Sequence, residues 1–233
     1  MTMAVHDGHR SRLRERYTTY GLDNFNDLNV LELLLFYAIP RRDTNELAHA
    51  LLDHFGSLDA VFDASLHELQ AVPGIAENAA ALITLVPEIA KRCAVSRTRD
   101  LTSFNSASQA ARYLIPRLGM EKDEKALLLC LNPQKQLISC TELGSGVVDN
   151  VSLNARQVVE TALKTRASSV ILAHNHPSGN PMPSRDDELL TRRIRDALQL
   201  VEITLDDHIV IGGQSFFSFA DSGLLMYSMS ARV

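Results

Sequence analysis

The spacing of apolar residues changes character once along this chain, near residue 100, and that change limits the folds open to it. Before it, apolar residues recur at helical spacing. Leu28 to Ala38 is a dense apolar run closed by Pro40. Leu47, Leu51, Leu52 and Phe55 share one helical face, and Gly56 stands where a C-cap belongs. Ser65-Leu-His-Glu68 has the form of a capping box. After Val72-Pro73-Gly74-Ile75 the pattern predicts a helix from about Glu77 to Arg92, and nothing in this region alternates as a strand does.

The segment Ala94 to Ser108 is rich in Ser, Thr and Arg, lacks periodicity and reads as a linker. Beyond it, short apolar runs fit for buried strands are interspersed with amphipathic helices. A helix is expected over Ala107 to Arg117. Ala126 to Leu131 and Leu137 to Glu142 read as a hairpin turned by Asn132-Pro-Gln-Lys135. Ala155, Val158, Val159, Ala162 and Leu163 mark a helix face, and Val170 to Ala173 a short buried strand. Ser184 to Leu200 is a further helix, and Ile203 to Ile211 and Phe216 to Phe219 are the last strands. The expected class is α+β: an all-helical domain over residues 1–100, then a domain over 101–233 whose mixed sheet is flanked by helices. With 233 residues, 45% of them hydrophobic, the chain can give each domain a core.

Several classes of function are disfavoured. No apolar run approaches the roughly 20 residues of a membrane helix. Met1 to Arg16 is polar and basic and does not read as a secretory signal. Cys93, Cys130 and Cys140 are an odd number with no Cys-x-x-Cys spacing, and read as buried thiols of a cytoplasmic protein. A net charge of −5 argues against electrostatic binding of nucleic acid by the chain as a whole. The local basic stretch Arg10, Arg12, Arg14 and Arg16 reads as a solvated arm, with phosphate contact the lesser reading.

The informative stretch runs from Ala173 to Asp187. His174 and His176 follow an apolar strand at i and i+2, so an extended chain turns both imidazoles to one side. The Pro- and Gly-rich residues that follow must loop, and the chain re-enters a helix near Ser184. Asp187 then falls in the first helical turn, where its charge suits the helix dipole. Two imidazoles and one carboxylate form the donor set of a catalytic zinc site. Such a site needs a general base, for which Glu124 and Glu142 are the candidates. Ser184 could donate to an oxyanion, or serve as an N-cap with Asp187 completing the box. His208 reads as a structural residue of the sheet, and His6, His9, His49, His54 and His67 show no ligand grouping.

His174-x-His176, seven residues, then Ser184-x-x-Asp187 resembles the JAMM pattern of the MPN+ metalloproteases without a gap. The wording His-Asn-His-Pro-Ser-Gly-Asn-Pro-Met-Pro-Ser, the Asp207-His208 pair before Ile-Val-Ile-Gly and the helical region with a Pro-Gly-Ile turn resemble the RadC family of bacterial proteins. The resemblance implies an MPN/JAB-like fold with zinc held by His174, His176 and Asp187. Ser184 would support the oxyanion and Glu124 would be the base, with Glu142 second, because it stands one residue beyond the acid position near Thr141. It further implies cleavage of a peptide or isopeptide bond in a protein or peptide substrate. The alternative it carries is a role in DNA repair or recombination, through DNA or partner contact by the helical domain, as a nuclease or as a non-catalytic module. Val72-Pro-Gly-Ile75 resembles the first half of a helix-hairpin-helix. Ala76 replaces its second glycine and Ala79 its basic residue, which weighs against phosphate binding by this turn.

Overall fold

The structure is a computed structural model and describes residues 3–40, 42–146 and 154–225, with no side-chain description at 3–7 and 144–146. The chain divides into two compact units, Met1–Arg92 and Cys93–Val233.

The first unit is helical: α1 (Met3–Tyr20), α2 (Asp27–Ala38), α3 (Asn45–Phe55), α4 (Leu58–Asp63), α5 (Leu66–Ala71) and the start of α6 (Glu77–Ser96). Its core joins Leu31, Leu35, Leu51, Val61, Leu69 and Ile83, the apolar faces that helical spacing picks out. The local signals act as their chemistry dictates. Gly56 ends α3 in the left-handed conformation, φ +88°, and Ser65 and Glu68 form a reciprocal capping box on α5. Gly74, at φ +92°, turns the chain into α6. Ala79 is buried in the core, away from any phosphate-binding role.

Of the amino-terminal arginines expected to form a solvated arm, Arg12 and Arg14 are exposed, whereas Arg10 and Arg16 are engaged by the helical unit. Arg10 donates to the carbonyls of Phe36, Ile39 and Arg42 at 2.7–3.2 Å. Arg16 donates to Asn29 Oδ1 at 2.6 Å and lies over the Phe25 ring. Carbonyls at the end of α2 lack helical partners and attract a cation, which fixes Arg10. Cys93 is exposed and Cys140 half-buried, so only Cys130 is the buried thiol expected of all three.

The second unit is built on a five-stranded sheet, ordered β2-β1-β3-β4-β5. In chain order come α7 (Ala107–Leu118), β1 (Glu124–Leu131), β2 (Leu137–Gly146), α8 (Ala155–Lys164), β3 (Ser169–Asn175), α9 (Arg185–Gln199), β4 (Thr204–Gly212) and β5 (Ser215–Ser218). All pairings are antiparallel except β3 with β4, which run parallel with α9 between them in sequence. The sheet is therefore mixed, and its central strands are buried on both faces. Ala126, Leu128 and Cys130 pack with Val158, Ala162, Ile194 and Leu198 of α8 and α9. Leu127, Leu129 and Leu131 pack on the other face with Ala110, Leu114 and Leu118 of α7. An uninterrupted apolar run is what a strand covered on both sides requires.

The linker expected over Ala94 to Ser108 is largely ordered structure. Helix α6 continues to Ser96, and residues 102–104 pair with the hairpin turn. Phe104 N donates to Lys135 O and Leu137 N to Thr102 O. Burial of Phe104 in the α7 face of the core holds this segment, an anchor that composition alone does not reveal.

Candidate metal centre

The site lies where β3 ends and α9 begins. His174 is the penultimate residue of β3 and is buried. His176 follows the strand, its N–H held by the Ile211 carbonyl of β4 at 2.8 Å. The two side chains turn to one side, as i and i+2 spacing dictates, and their Nε2 atoms stand 3.0 Å apart. The loop after His176 packs on β4 at Gly212. A Cβ there would meet the Gly179 carbonyl and lie 2.6 Å from Pro181 N, so only glycine lets the loop close down.

Asp187 sits at the third position of α9. Ser184 caps the helix by accepting from Asp187 N at 3.1 Å, and Asp187 Oδ2 accepts from Ser184 N and from Ser184 Oγ, both at 2.7 Å. The capping box therefore turns the carboxylate back toward the histidines. Its oxygens lie 3.2 Å from His174 Nε2 and 3.5 Å from His176 Nε2. Burial opposes the Asp187 charge, a proton on His174 Nε2 would favour it, and the hydrogen bonds from Ser184 favour it whatever the state of His174.

The donor atoms of His174, His176 and Asp187 all lie within 4.8 Å of one another. His176 Nδ1 lies 2.9 Å from the Asn180 carbonyl, which can only accept. A neutral His176 thus carries its proton on Nδ1 and presents a bare lone pair at Nε2. That lone pair faces a second imidazole nitrogen and a carboxylate, an arrangement relieved by a cation at the convergence point. Neutral imidazoles with a carboxylate fit divalent zinc, in the donor set of a catalytic rather than a closed structural site.

The other expected residues separate into two groups. Glu124 opens β1, beside His174 because Ala126 pairs with His174 across the sheet. Its Oε1 stands 4.0 Å from His174 Nε2, and the side chain is 24% exposed, open to solvent yet within reach of the cluster. Glu142 pairs with Leu127, whose side chain belongs to the α7 face. Directly opposed residues share a face, so Glu142 lies across the sheet from His174. Both hydrogen-bonding capacities of the Ser184 hydroxyl are engaged by Asp187, so the oxyanion role expected of it requires that proton to turn away from Oδ2.

Three residues join the site without having been expected there. Asn175 points away from the histidines. Its Oδ1 accepts from Lys125 N at 2.8 Å, and its Nδ2 donates to the carbonyls of Asp123, at 3.0 Å, and Glu121, at 3.3 Å. It thereby fixes the segment that carries Glu124. His208 is not only a sheet residue: it is fully buried, with Nε2 2.9 Å from His174 Nδ1 and Nδ1 2.6 Å from Thr191 Oγ1. Complete burial drives its pKa well below the ordinary histidine value. Its place between Asp207 and the apolar run Ile209 to Ile211 was the available signal for His208. For Thr191 the signal was its position one turn after Asp187. Of the remaining histidines, His9 bonds to buried Glu32 at 2.8 Å, and the side chain of His6 lies outside the described residues.

Comparison with known proteins identifies the family. The RadC-like JAB domain family matches residues 104–224, and the UPF0758 N-terminal family matches residues 8–81. A UPF0758 protein of Fusobacterium nucleatum is 34% identical over 97% of this chain and 100% of its own length. One from Janthinobacterium sp. is 36% identical over 96% of this chain and 100% of its own. One from Ruegeria pomeroyi is 37% identical over 93% and 97% respectively. With its helical segment, its mixed-sheet JAB domain and relatives matched along nearly their whole length, the chain belongs to the RadC family of UPF0758 proteins.

Proposed function

We propose that the JAB domain is a zinc-dependent hydrolase that cleaves a peptide or isopeptide bond in a protein or peptide substrate. One observation carries the reading. The Nε2 lone pair of His176, the Nε2 of His174 and the carboxylate of Asp187 converge on one point, all within 4.8 Å of one another. Zinc held there supplies a Lewis acid that polarises a carbonyl and brings the pKa of water down toward neutrality.

The chain's own residues do the rest. Glu124, 4.0 Å from His174 Nε2 and partly open to solvent, accepts the proton of the attacking water and returns it to the leaving amine. Ser184 holds the Asp187 carboxylate in the ligand direction through two hydrogen bonds. The peptide or isopeptide specificity rests on likeness to MPN+ proteins, since a fold hosts many chemistries. A docking role for the helical unit toward DNA or a repair protein is a second reading, and buried Ala79 disfavours its DNA-phosphate form.

Zinc content by plasma mass spectrometry on wild type, His176→Ala and Asp187→Ala tests the metal. About one zinc per chain, lost in both variants, is expected. Glu124→Gln then tests the chemistry: it should keep its zinc and lose hydrolysis across a set of peptide and isopeptide conjugates. A wild type that takes up no zinc even after reconstitution would end the proposal.

A further inference from the structure

We propose that His208 and Thr191 form a one-directional hydrogen-bond relay that sets the tautomer of His174, and so leaves bare the nitrogen that faces the metal point. The relay rests on the zinc-site reading for its purpose, but its direction follows from hydrogen-bond chemistry alone.

The fixed end is the backbone carbonyl of Asp187, which can only accept. Thr191 Oγ1 lies 2.5 Å from it, one helical turn on, so the threonine hydroxyl proton points there. With that proton committed, Thr191 Oγ1 is an acceptor toward His208 Nδ1 at 2.6 Å, and His208 Nδ1 carries a proton. A neutral His208 then has a bare lone pair at Nε2. That nitrogen lies 2.9 Å from His174 Nδ1, so His174 must donate from Nδ1. The remaining nitrogen of His174, Nε2, is left unprotonated, and it is the atom that lies 3.0 Å from His176 Nε2 and 3.2 Å from Asp187 Oδ1.

The surroundings favour this neutral form. His208 is fully buried and stacked at 4.8 Å on Phe219, and its two ring nitrogens are taken up by His174 and Thr191. Burying an imidazolium there would be expensive. The relay also returns to its own starting residue. Asp187 offers its carboxylate to the metal point from one end and anchors the chain to His174 through its carbonyl. One residue of α9 thus supplies one proposed ligand and orients a second, and His208 is the positioning residue that carries the information across from β4. Partners of this kind commonly fix ligand tautomers and raise ligand basicity.

The test uses the full chain, apo and zinc-loaded. Long-range proton–nitrogen NMR of imidazole-labelled apoprotein at pH 8 reads tautomers directly, with His174 assigned by its absence in His174→Gln. His174 is expected to be protonated at Nδ1. His208→Leu should abolish that preference and weaken zinc binding about 10- to 100-fold in chelator competition. In His208→Gln the side-chain amide can accept from His174 and donate to Thr191, and should recover most of both properties. Thr191→Val keeps the volume and removes the fixed end. It should move tautomer and affinity in the same direction, and it decides the matter if His208→Leu does not fold. An Nε2-protonated His174 in the wild type would overturn the relay, as would Thr191→Val with tautomer and zinc affinity both unchanged. A wild type protonated at Nδ1 that binds no zinc would leave the relay standing and end the hydrolase reading instead.

Discussion

Replacing Gly212 by alanine tests how the fold holds the ligand loop, with only one methyl group added and no ligand touched. The added Cβ would overlap the Gly179 carbonyl and stand 2.6 Å from Pro181 N, against an ordinary contact of 3.4 Å or more. Neither neighbour is a flexible side-chain end, so the loop backbone must retreat by at least about 0.8 Å, the shortfall at Pro181 N alone. His176 is three residues before Gly179, and its N–H is bonded to the Ile211 carbonyl, directly beside the new methyl. Metal sites tolerate ligand displacements of only about 0.2 Å. The expected result is zinc affinity lower by about 10- to 100-fold. Overpacking of this kind costs about 1–3 kcal/mol. For a chain of this length that is a melting temperature lower by about 2–4 °C for each kcal/mol. Chelator competition reads the first quantity and thermal unfolding of the apoprotein the second. Gly56→Ala is the control: it strains a left-handed residue of the helical unit, where a Cβ meets nothing within 4 Å, and should lower stability without touching zinc affinity. A Gly212→Ala protein that binds zinc as tightly as wild type would refute the idea that this close approach positions His176.

Three further outcomes are expected. Asn175→Leu leaves Lys125 N and the Asp123 and Glu121 carbonyls without their partner, so it should lose about 1–3 kcal/mol in denaturant titration. It should also lower turnover while zinc content stays whole; unchanged turnover would show that Asn175 does not position Glu124. Ser184→Ala removes a cap worth about 1 kcal/mol and one hydrogen bond to the Asp187 carboxylate, so stability and zinc affinity should fall together. A stability loss alone would reduce Ser184 to its helix. Burial raises the Asp207 carboxyl above its ordinary value of 3.8, more than its bonds from Ser218 and Ala220 lower it. Its contribution to stability is therefore full below about pH 4 and lost as pH rises through the elevated value. Asp207→Asn should flatten the pH–stability curve above that point, and an unaltered slope would contradict the raised carboxyl.

What the sequence determined by itself is local. Helical periodicity placed α2, α3 and α6, because a core-facing stripe repeats within a few residues. The run Ala126 to Leu131 read as a buried strand, and the structure covers it on both faces. The short-range part of the site was equally legible: two histidines at i and i+2, and a serine and an aspartate whose capping box is a matter of three residues. What depended on pairing across the sheet was not. Glu124 reaches His174 only because Ala126 registers with His174, and Glu142 is carried to the other face because it registers with Leu127. No local preference specifies such a register, yet a shift of one residue reverses every side chain. Asn175, Thr191 and His208 join the site for the same reason. Each is an unremarkable polar residue until the packing of β1, β3, β4 and α9 removes water from around it and leaves its neighbours as the available hydrogen-bond partners.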